Sequence, residues 1–511
     1  VHQRPLMARP PKRGLFDRMM RRNVVPVQDA SRQIVRRGRA RAEYDGASVG
    51  RRTTSWRRDG RDANSELNTR VMLALRGMAR DLVRNNPFAA RGVSGIANNM
   101  IGTGITFQIY RNGKIDQPLT DLARRHFDTT ACDASGRHDF YGLQVQAART
   151  IAVSGAVVTR RRWRRGSDGL PVPFQMQVLE PDYINTQLTG PLPNGGWRIQ
   201  GIEMSPIGQR TGYQMYSGHP GSLIPGSLDT TLIPASEISH CYRSLRPEDQ
   251  HGESWFAPVI VRMKDFGEYE DAQLVRQKIA SCFTGFRTPG ESADLPEPTT
   301  DSNGNPLDEE PYIAAFEPGI IETLAPGETI TFGEPPSVDG YADYSRVSLQ
   351  AIAAGLGVPY EVLTNDLTKV NFSSGRLGWL EFQRSLATWQ WTMFIPQFCE
   401  PAGQWFLQAA AMSGVDVTGA TFHWTPPRRE MIDPATEVPA IRDAIRAGLQ
   451  TPSGAVRERG DDPDKFFAEW AADAQRFDAL GLIFDSDPRK VTQVGNSLHP
   501  GATPPPEDKE P

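Results

Sequence analysis

Asp308, Glu309, Glu310, Glu317 and Glu322 belong to a stretch, residues 289–340, that holds twelve acidic side chains and no basic one. Carboxylates at that density are the raw material of a divalent-cation site, and so of a metal-dependent nuclease or another hydrolase. Such a site needs fixed geometry, and these acids are interspersed with proline and glycine, which argues against a metal here. The remaining catalytic signals are weaker. Gly46–Gly50, "GASVG", matches GxSxG in form, but a nucleophile elbow needs a strand before it and a helix after it, and this one sits among arginines. His240 follows "LIPASEIS" and would serve as a ligand or base, although a lone histidine at a strand end is more often a hydrogen-bonded structural residue. There is no GxxxxGK[ST] phosphate loop and no HExxH; "GTG" at 102–104 and "GLG" at 355–357 are not GxGxxG fingerprints, and Gly102 and Gly104 read as the end of a helix and the start of a strand. The four cysteines are far apart with no CxxC pair, which points to reduced thiols and neither disulfides nor zinc. No catalytic residue and no cofactor is expected, and the chain reads as a non-enzyme.

The elements that would position any site fall into blocks. Residues 1–62 carry 17 basic and 6 acidic side chains and little apolar periodicity, so a flexible basic arm is expected. It suits either phosphates or an acidic partner surface. Leu67, Val71, Leu75, Met78 and Leu82 recur at helical spacing. Asn86 before Pro87 closes that helix and opens the next, which ends at Gly102. From Ile105 to Arg243 the period shortens: "ITFQIY", "AVVTRRRW", "PFQMQVLEP", "GIEMSP" and "GYQMYS" are strands, interrupted by a helix at Phe140–Val153. The fold class is therefore α+β.

A long helix from Ser254 to Phe286 follows, with Phe256, Val259, Ile260, Met263, Phe266, Leu274, Val275 and Ile279 on one face. The acidic block has short strands at "YIAAF" and "GIIETL". A helix at Asp343–Gly355, a small polar loop at Asn365–Gly375 and a third long helix come next, the last kinked or broken at Pro396 and Pro401. Its aromatics, Trp379, Phe382, Trp389, Trp391 and Phe394, have the spacing of packing residues, with base stacking as the alternative. Near the C-terminus Thr451–Pro452 and Asp462–Pro463 each read as a helix start, and the last 25 or so residues as a disordered tail. The 511 residues exceed one ordinary core. No run is apolar and long enough to cross a membrane, and the basic N-terminus lacks the apolar core of a secretory signal.

Six stretches carry a family resemblance: "RDLVRNNPFAARGVSGIANNMIGTGI", "LEPDYI", "RPEDQHGESWFAPVI", "LAPGETITF", "LQAIAAGLGVPYEVLTNDLTKVNFSSGR" and "FHWTPPRREMIDPATE". Together they span about residues 60–435, and the run at 349–376 is the most specific. In these the chain resembles the lambda-type family of tailed-phage portal proteins, or head-tail connectors. The resemblance implies a ring, usually of twelve copies, at one vertex of the phage head. Double-stranded DNA is packaged through its centre by a terminase motor and later ejected.

It also implies a portal fold with these parts: arm 1–62, α+β wing 63–250, first stem helix 251–288, acidic clip 289–340, second stem helix 341–363, channel loop 364–376, long kinked helix returning to the wing 377–433, helical crown 434–485 and tail 486–511. Lys369, Asn371, Ser373 and Ser374 of the loop would face DNA; a small polar loop suits a duplex that must slide. Asp308, Glu309, Glu310, Glu317 and Glu322 would form a negative collar that repels DNA or receives basic partner patches. "TRRRWRR" is a candidate for one side of the subunit interface. Implied partners are the homo-oligomer itself, the terminase large subunit, a head-completion or adaptor protein and the major capsid or scaffold protein, with no membrane. The place would be the virion, after host-cytoplasmic assembly. A phage nuclease or maturation enzyme, and the portal of a gene transfer agent, are the alternatives.

Overall fold

Asn86 organises the start of the fold. Its backbone N–H donates to Leu82 O at 2.7 Å and closes helix α1 (Thr69–Asn85), while its side chain accepts from the N–H groups of Phe88 and Ala89 and opens α2 (Pro87–Ile101). Pro87 at the first position costs nothing, since its missing N–H would have had no helical partner. The computed structural model describes residues 60–223, 228–281, 285–288, 329–332, 340–368, 371–427, 433–459 and 463–482, with a few isolated positions besides.

The helix expected around Leu67–Leu82 exists, but turned about its axis. Met72, Arg76 and Ala79 are buried, whereas Val71 and Met78 are exposed. The reason is Arg76, a charged residue facing inward. Its Nε donates to Ser154 O at 3.1 Å and its guanidinium lies 4.0 Å from Asp182, so the helix presents a polar seam to the core. α2 is buried along most of its length, and Gly102, with φ +53°, ends it as expected.

The strands foreseen from Ile105 onward are present. β1 (Thr106–Arg111) and β2 (Lys114–Ile115) precede α3 (Gln117–Phe127), and α4 (Phe140–Ser154) leads into β3 (Ala156–Trp163) and β4 (Phe174–Leu179). A five-stranded antiparallel meander follows: β5 (Gly190–Pro191), β6 (Trp197–Ile199), β7 (Ile202–Met204), β8 (Arg210–Tyr216) and β9 (Thr230–Pro234). β10 (Ile238–Tyr242) returns to pair with β3, giving a second sheet of order β10-β3-β4. β3 faces two cores. Val157 joins the main one with α2, α4 and the later helices, and Val158 the smaller one with Ile184, Ile202, Tyr213 and Met215.

α5 (Ile260–Ser281) is shorter than the Ser254–Phe286 helix expected. Residues 254–259 form turns around Pro258, and Phe286 stands in β11 (Gly285–Thr288), paired antiparallel with β12 (Thr329–Phe332). The strands expected at "YIAAF" and "GIIETL" lie outside the described residues, as do most of the N-terminal arm and nearly all of 486–511. α6 (Tyr341–Leu356) and α7 (Tyr360–Thr364) follow.

α8 (Phe372–Trp389) continues without a break through a π-helical segment, Gln390–Cys399, into α9 (Glu400–Met412). The break expected at Pro396 and Pro401 is thus a widened turn. Where bonds run i to i−5, as from Glu400 N–H to Ile395 O, the helix absorbs a proline without losing its course. This segment lies along β10: Gln397 Oε1 accepts from Tyr242 N at 3.0 Å, and Gln397 O accepts from the Ser239 hydroxyl. The sheet edge is thereby covered. β13 (Ala420–Thr425) then comes back to β1, pairing Phe107 with Trp424 and Ile109 with Phe422. α10 (Pro434–Arg446), α11 (Pro452–Glu458) and α12 (Pro463–Leu480) complete the described chain; Thr451 caps α11 as its sequence suggested, and Asp462 lies outside the described residues.

Candidate channel loop and its supports

α7 ends at Asn365, which takes a left-handed conformation (φ +58°) that asparagine tolerates better than most residues. Arg91, on α2, reaches across to this turn. Its Nε donates to Val362 O at 3.0 Å and its Nη2 to Asn365 Oδ1 at 2.8 Å. Asp366 fixes the next residues. One oxygen accepts from Thr368 N at 3.1 Å and from the Thr368 hydroxyl at 2.6 Å; the other accepts from the Tyr360 hydroxyl at 3.0 Å. These bonds, those from Thr368 first, hold its carboxyl below the usual range. The loop therefore leaves a stiff base at Leu367 and Thr368, both exposed.

Lys369 lies outside the described residues. Asn371 is exposed and begins the next helix by accepting Gly375 N–H at 3.0 Å. Ser373 and Ser374, expected in the loop, stand in the first turn of α8, so the loop is shorter than the sequence suggested. The backbone of "NFSSG" can open a helix once Asn371 supplies the first carbonyl, and the flanking helical pattern extends one turn further back. The acidic residues Asp308, Glu309, Glu310, Glu317 and Glu322 all lie outside the described residues.

The loop is carried between two helical supports. α5 and α6 pack together, and near the start of α5 and the end of α6 a Cβ on Gly355 would sit 2.3 Å from Val259 Cγ1. Toward the other end Tyr269 stacks on Tyr341 (14° between planes) and meets Tyr344 at 4.4 Å, while the Tyr341 hydroxyl donates to Glu270 at 3.3 Å. Phe256, Val259, Ile260, Met263 and Phe266 are buried as predicted, but Leu274 and Val275, expected on the same face, are 50% and 53% exposed, as is Val347 at 62%. On the far side of the loop Arg376 lies 3.5 Å from Glu437 of α10. Of the five aromatics singled out, Phe382 and Phe394 are buried, Trp379 and Trp389 are packed against the core and Trp391 is 55% exposed. Packing is the role of four of them.

His240 is a buried structural residue. It sits against Tyr213, Tyr242 and His251, with the His251 ring at 5.4 Å, and burial holds it neutral, well below its ordinary pKa. Sequence reading missed a separate polar seam. Glu180, Asp182 and His219 converge with the spacing of metal ligands. Arg80 fills that space: its Nη2 is 2.5 Å from Asp182 and 3.4 Å from Glu180, and Arg76 approaches from the buried side. Two guanidiniums answer the two carboxylates, so the group is a salt-bridged seam. Arg91 was also missed. Its partners are 271 and 274 residues away, and nothing local marks it.

Among the described residues no helix is long and apolar enough to cross a membrane. The chain is similar to the probable portal protein of Halomonas phage phiHAP-1, 26% identical over 433 residues that cover 80% of this chain and 81% of that one. It is similar to portal protein B of Escherichia phage lambda, 23% identical over 83% of this chain and 89% of that one. Among solved structures, a chain from the neck of a native GTA particle, computed with C12 symmetry, aligns at 16% identity and a TM-score of 0.45 over 78% of this chain and 95% of that one. Residues 49–390 match the phage portal proteins of the lambda family, and the chain belongs to that family.

Proposed function

We propose that this phage portal protein closes into a ring, of about twelve copies, at one vertex of a phage head, and that double-stranded DNA is packaged and later ejected through its centre. The observation that carries this reading is the uncovered apolar surface of the α5–α6 pair. Val261, Leu274, Val275 and Val347 are each half exposed or more on one chain, and a ring of such pairs would cover them with neighbouring copies. In this reading residues 63–250 are the wing, 251–288 and 341–363 the stem, 289–340 the clip and 434–485 the crown. The loop within 364–376 projects into the channel from the base that Arg91 and Asp366 hold. The acidic clip presents a negative collar on which a terminase motor and, later, a head-completion protein dock, and the wing meets capsid or scaffold protein. The chain acts as a conduit and carries no catalysis of its own; packaging is driven by the motor. It works in the virion, after assembly in the host cytoplasm.

Native mass and negative-stain images of one purified sample test this. Twelve copies of the 56.6 kDa chain give about 680 kDa. Rings with a hole wide enough for duplex DNA support the reading. A stable monomer or dimer at every salt concentration overturns it.

A further inference from the structure

The end of β3 concentrates positive charge that no close ion pair answers among the described residues, Glu237 acting on Arg160 and Arg161 only from a distance. Arg160, Arg161, Arg162, Arg164 and Arg165 fall within six positions. Several other arginines of this part of the chain meet carboxylates: Arg80 meets Asp182, Arg111 meets Asp116 and Asp416, Arg198 meets Glu203 and Arg246 meets Glu66, whereas Arg91, Arg149 and Arg210 stand singly on neutral partners. Among the described residues, none of the five at the end of β3 has a carboxylate within ion-pair distance. Two have neutral supports. Arg161 donates to Gln408 and lies over the Trp163 ring at 4.3 Å, and Arg164 Nε donates to Gln175 at 2.6 Å. Those contacts orient the guanidiniums without neutralising them.

Alternation along the strand puts Arg160 and Arg162 on one face, about 6.6 Å apart at the usual rise. Across β4 their register partners are Gln177 and Gln175, both uncharged. Arg160 is disfavoured by burial and then by Arg162, with Glu237 the one acidic group acting against that. Arg165 is exposed at the strand's end and Trp163 is 36% exposed beside it. Keeping like charges side by side on a half-buried strand lowers stability unless a polyanion meets them.

We propose that the end of β3, through Arg160, Arg162 and Arg165, is a binding surface for the phosphate backbone of duplex DNA, separate from the channel loop. Guanidinium forks suit phosphate oxygens, and two like charges on one strand face with neutral glutamines alongside, followed by a third just beyond the strand's end, suit backbone and not bases. The choice of DNA over an acidic protein face rests on the portal reading above; the contact itself is sequence-independent and salt-sensitive.

The test is binding of the full-length protein to a fluorescent random-sequence duplex of about 30 base pairs over a series of salt concentrations. Wild type is compared with the Arg160→Gln, Arg162→Gln, Arg165→Gln variant, the basic arm being the same in both. Loss of three phosphate contacts should weaken binding at least about tenfold at moderate salt and flatten the log–log salt slope by about 2.7. The same three positions changed to lysine should keep most of that slope. Should the glutamine variant not fold, Arg165→Gln alone, at an exposed position, should flatten the slope by about 0.9. Unchanged affinity and slope, or no DNA binding by wild type, overturns the proposal. Unchanged DNA binding with loss of the ring mass also overturns it and makes the strand a subunit interface instead. A variant that loses DNA binding while wild type and variant are both monomeric keeps the surface and removes the ring.

Discussion

Arg91 on α2 and Asn365 at the end of α7 are joined by a 2.8 Å hydrogen bond across 274 residues of sequence, and this one side chain ties the base of the loop to the body of the fold. Arg91→Ala should leave global stability nearly unchanged, since the side chain is exposed and its acceptors are neutral. Locally it removes two hydrogen bonds of about 0.5–1.5 kcal/mol each. Hydrogen exchange should speed up several-fold at residues 362–368 and stay as it was in α4. Equal protection of 362–368 in both proteins would show that Asp366 and Tyr360 hold the loop base without it.

Lys369 is the one basic side chain between Asn365 and Gly375. Lys369→Glu reverses a charge at every copy of the proposed loop. The expected phenotype is normal ring mass with reduced packaging or retention of DNA. Normal packaging, retention and infectivity together would remove DNA contact from the loop's role.

Gly155 and Gly252 lie back to back. A Cβ on Gly252 would stand 2.2 Å from Gly155 O, and one on Gly155 would stand 2.5 Å from Gly252 O. Both obstacles are backbone and cannot swing away. Gly252→Ala should cost about 1–3 kcal/mol, visible as a lower thermal midpoint. Gly155→Ala should cost more, because φ there is +85° and strain adds to the clash. A wild-type midpoint in Gly252→Ala would mean the two loops can part freely.

Burial drives the pH response. It lowers His126 and His251 to about 3 and His240 well below its ordinary value. His126 is packed among Phe127, Phe174 and Phe406; His251 faces Arg76 and Arg210 and bonds Gln200 O. A depressed folded pKa means the unfolded chain takes up more protons, so stability is full above about pH 6.5 and falls as pH drops toward 3. Each histidine contributes a slope of about 1.4 kcal/mol per pH unit in that window. Urea midpoints should therefore decline from pH 7 to pH 5, above the range where Asp133 and Asp182, both lowered, begin to matter. His126→Leu should shallow the decline. A flat profile between pH 7 and pH 5 would contradict it.

Local signals in the sequence were readable where one or two residues decide the outcome. Asn86–Pro87, Gly102 and Thr451–Pro452 mark helix ends by their own hydrogen bonds, and the alternating strands after Ile105 pair as their pattern implies. Readings failed where a distant partner decides. The face of α1 turns because Arg76 finds Ser154 and Asp182, and Pro396 is absorbed because the π-segment follows the edge of β10. A small polar loop was expected at Asn365–Gly375, but its later part stands in α8, and the stiff base at Asn365–Thr368 was not foreseen, since Arg91 carries no local mark.

The pairing of β1 with β13 has a consequence for synthesis. Thr106 and Thr425 are 319 residues apart, yet the first sheet is incomplete until the later strand arrives. A nascent chain emerging from the ribosome holds an open β1 edge while everything from α3 to α9 is made. Truncated or stalled chains thus lack the closing strand and leave Phe107 and Ile109 without Trp424 and Phe422. Completion of the first sheet therefore certifies that the intervening helices and loop, up to Thr425, have been translated.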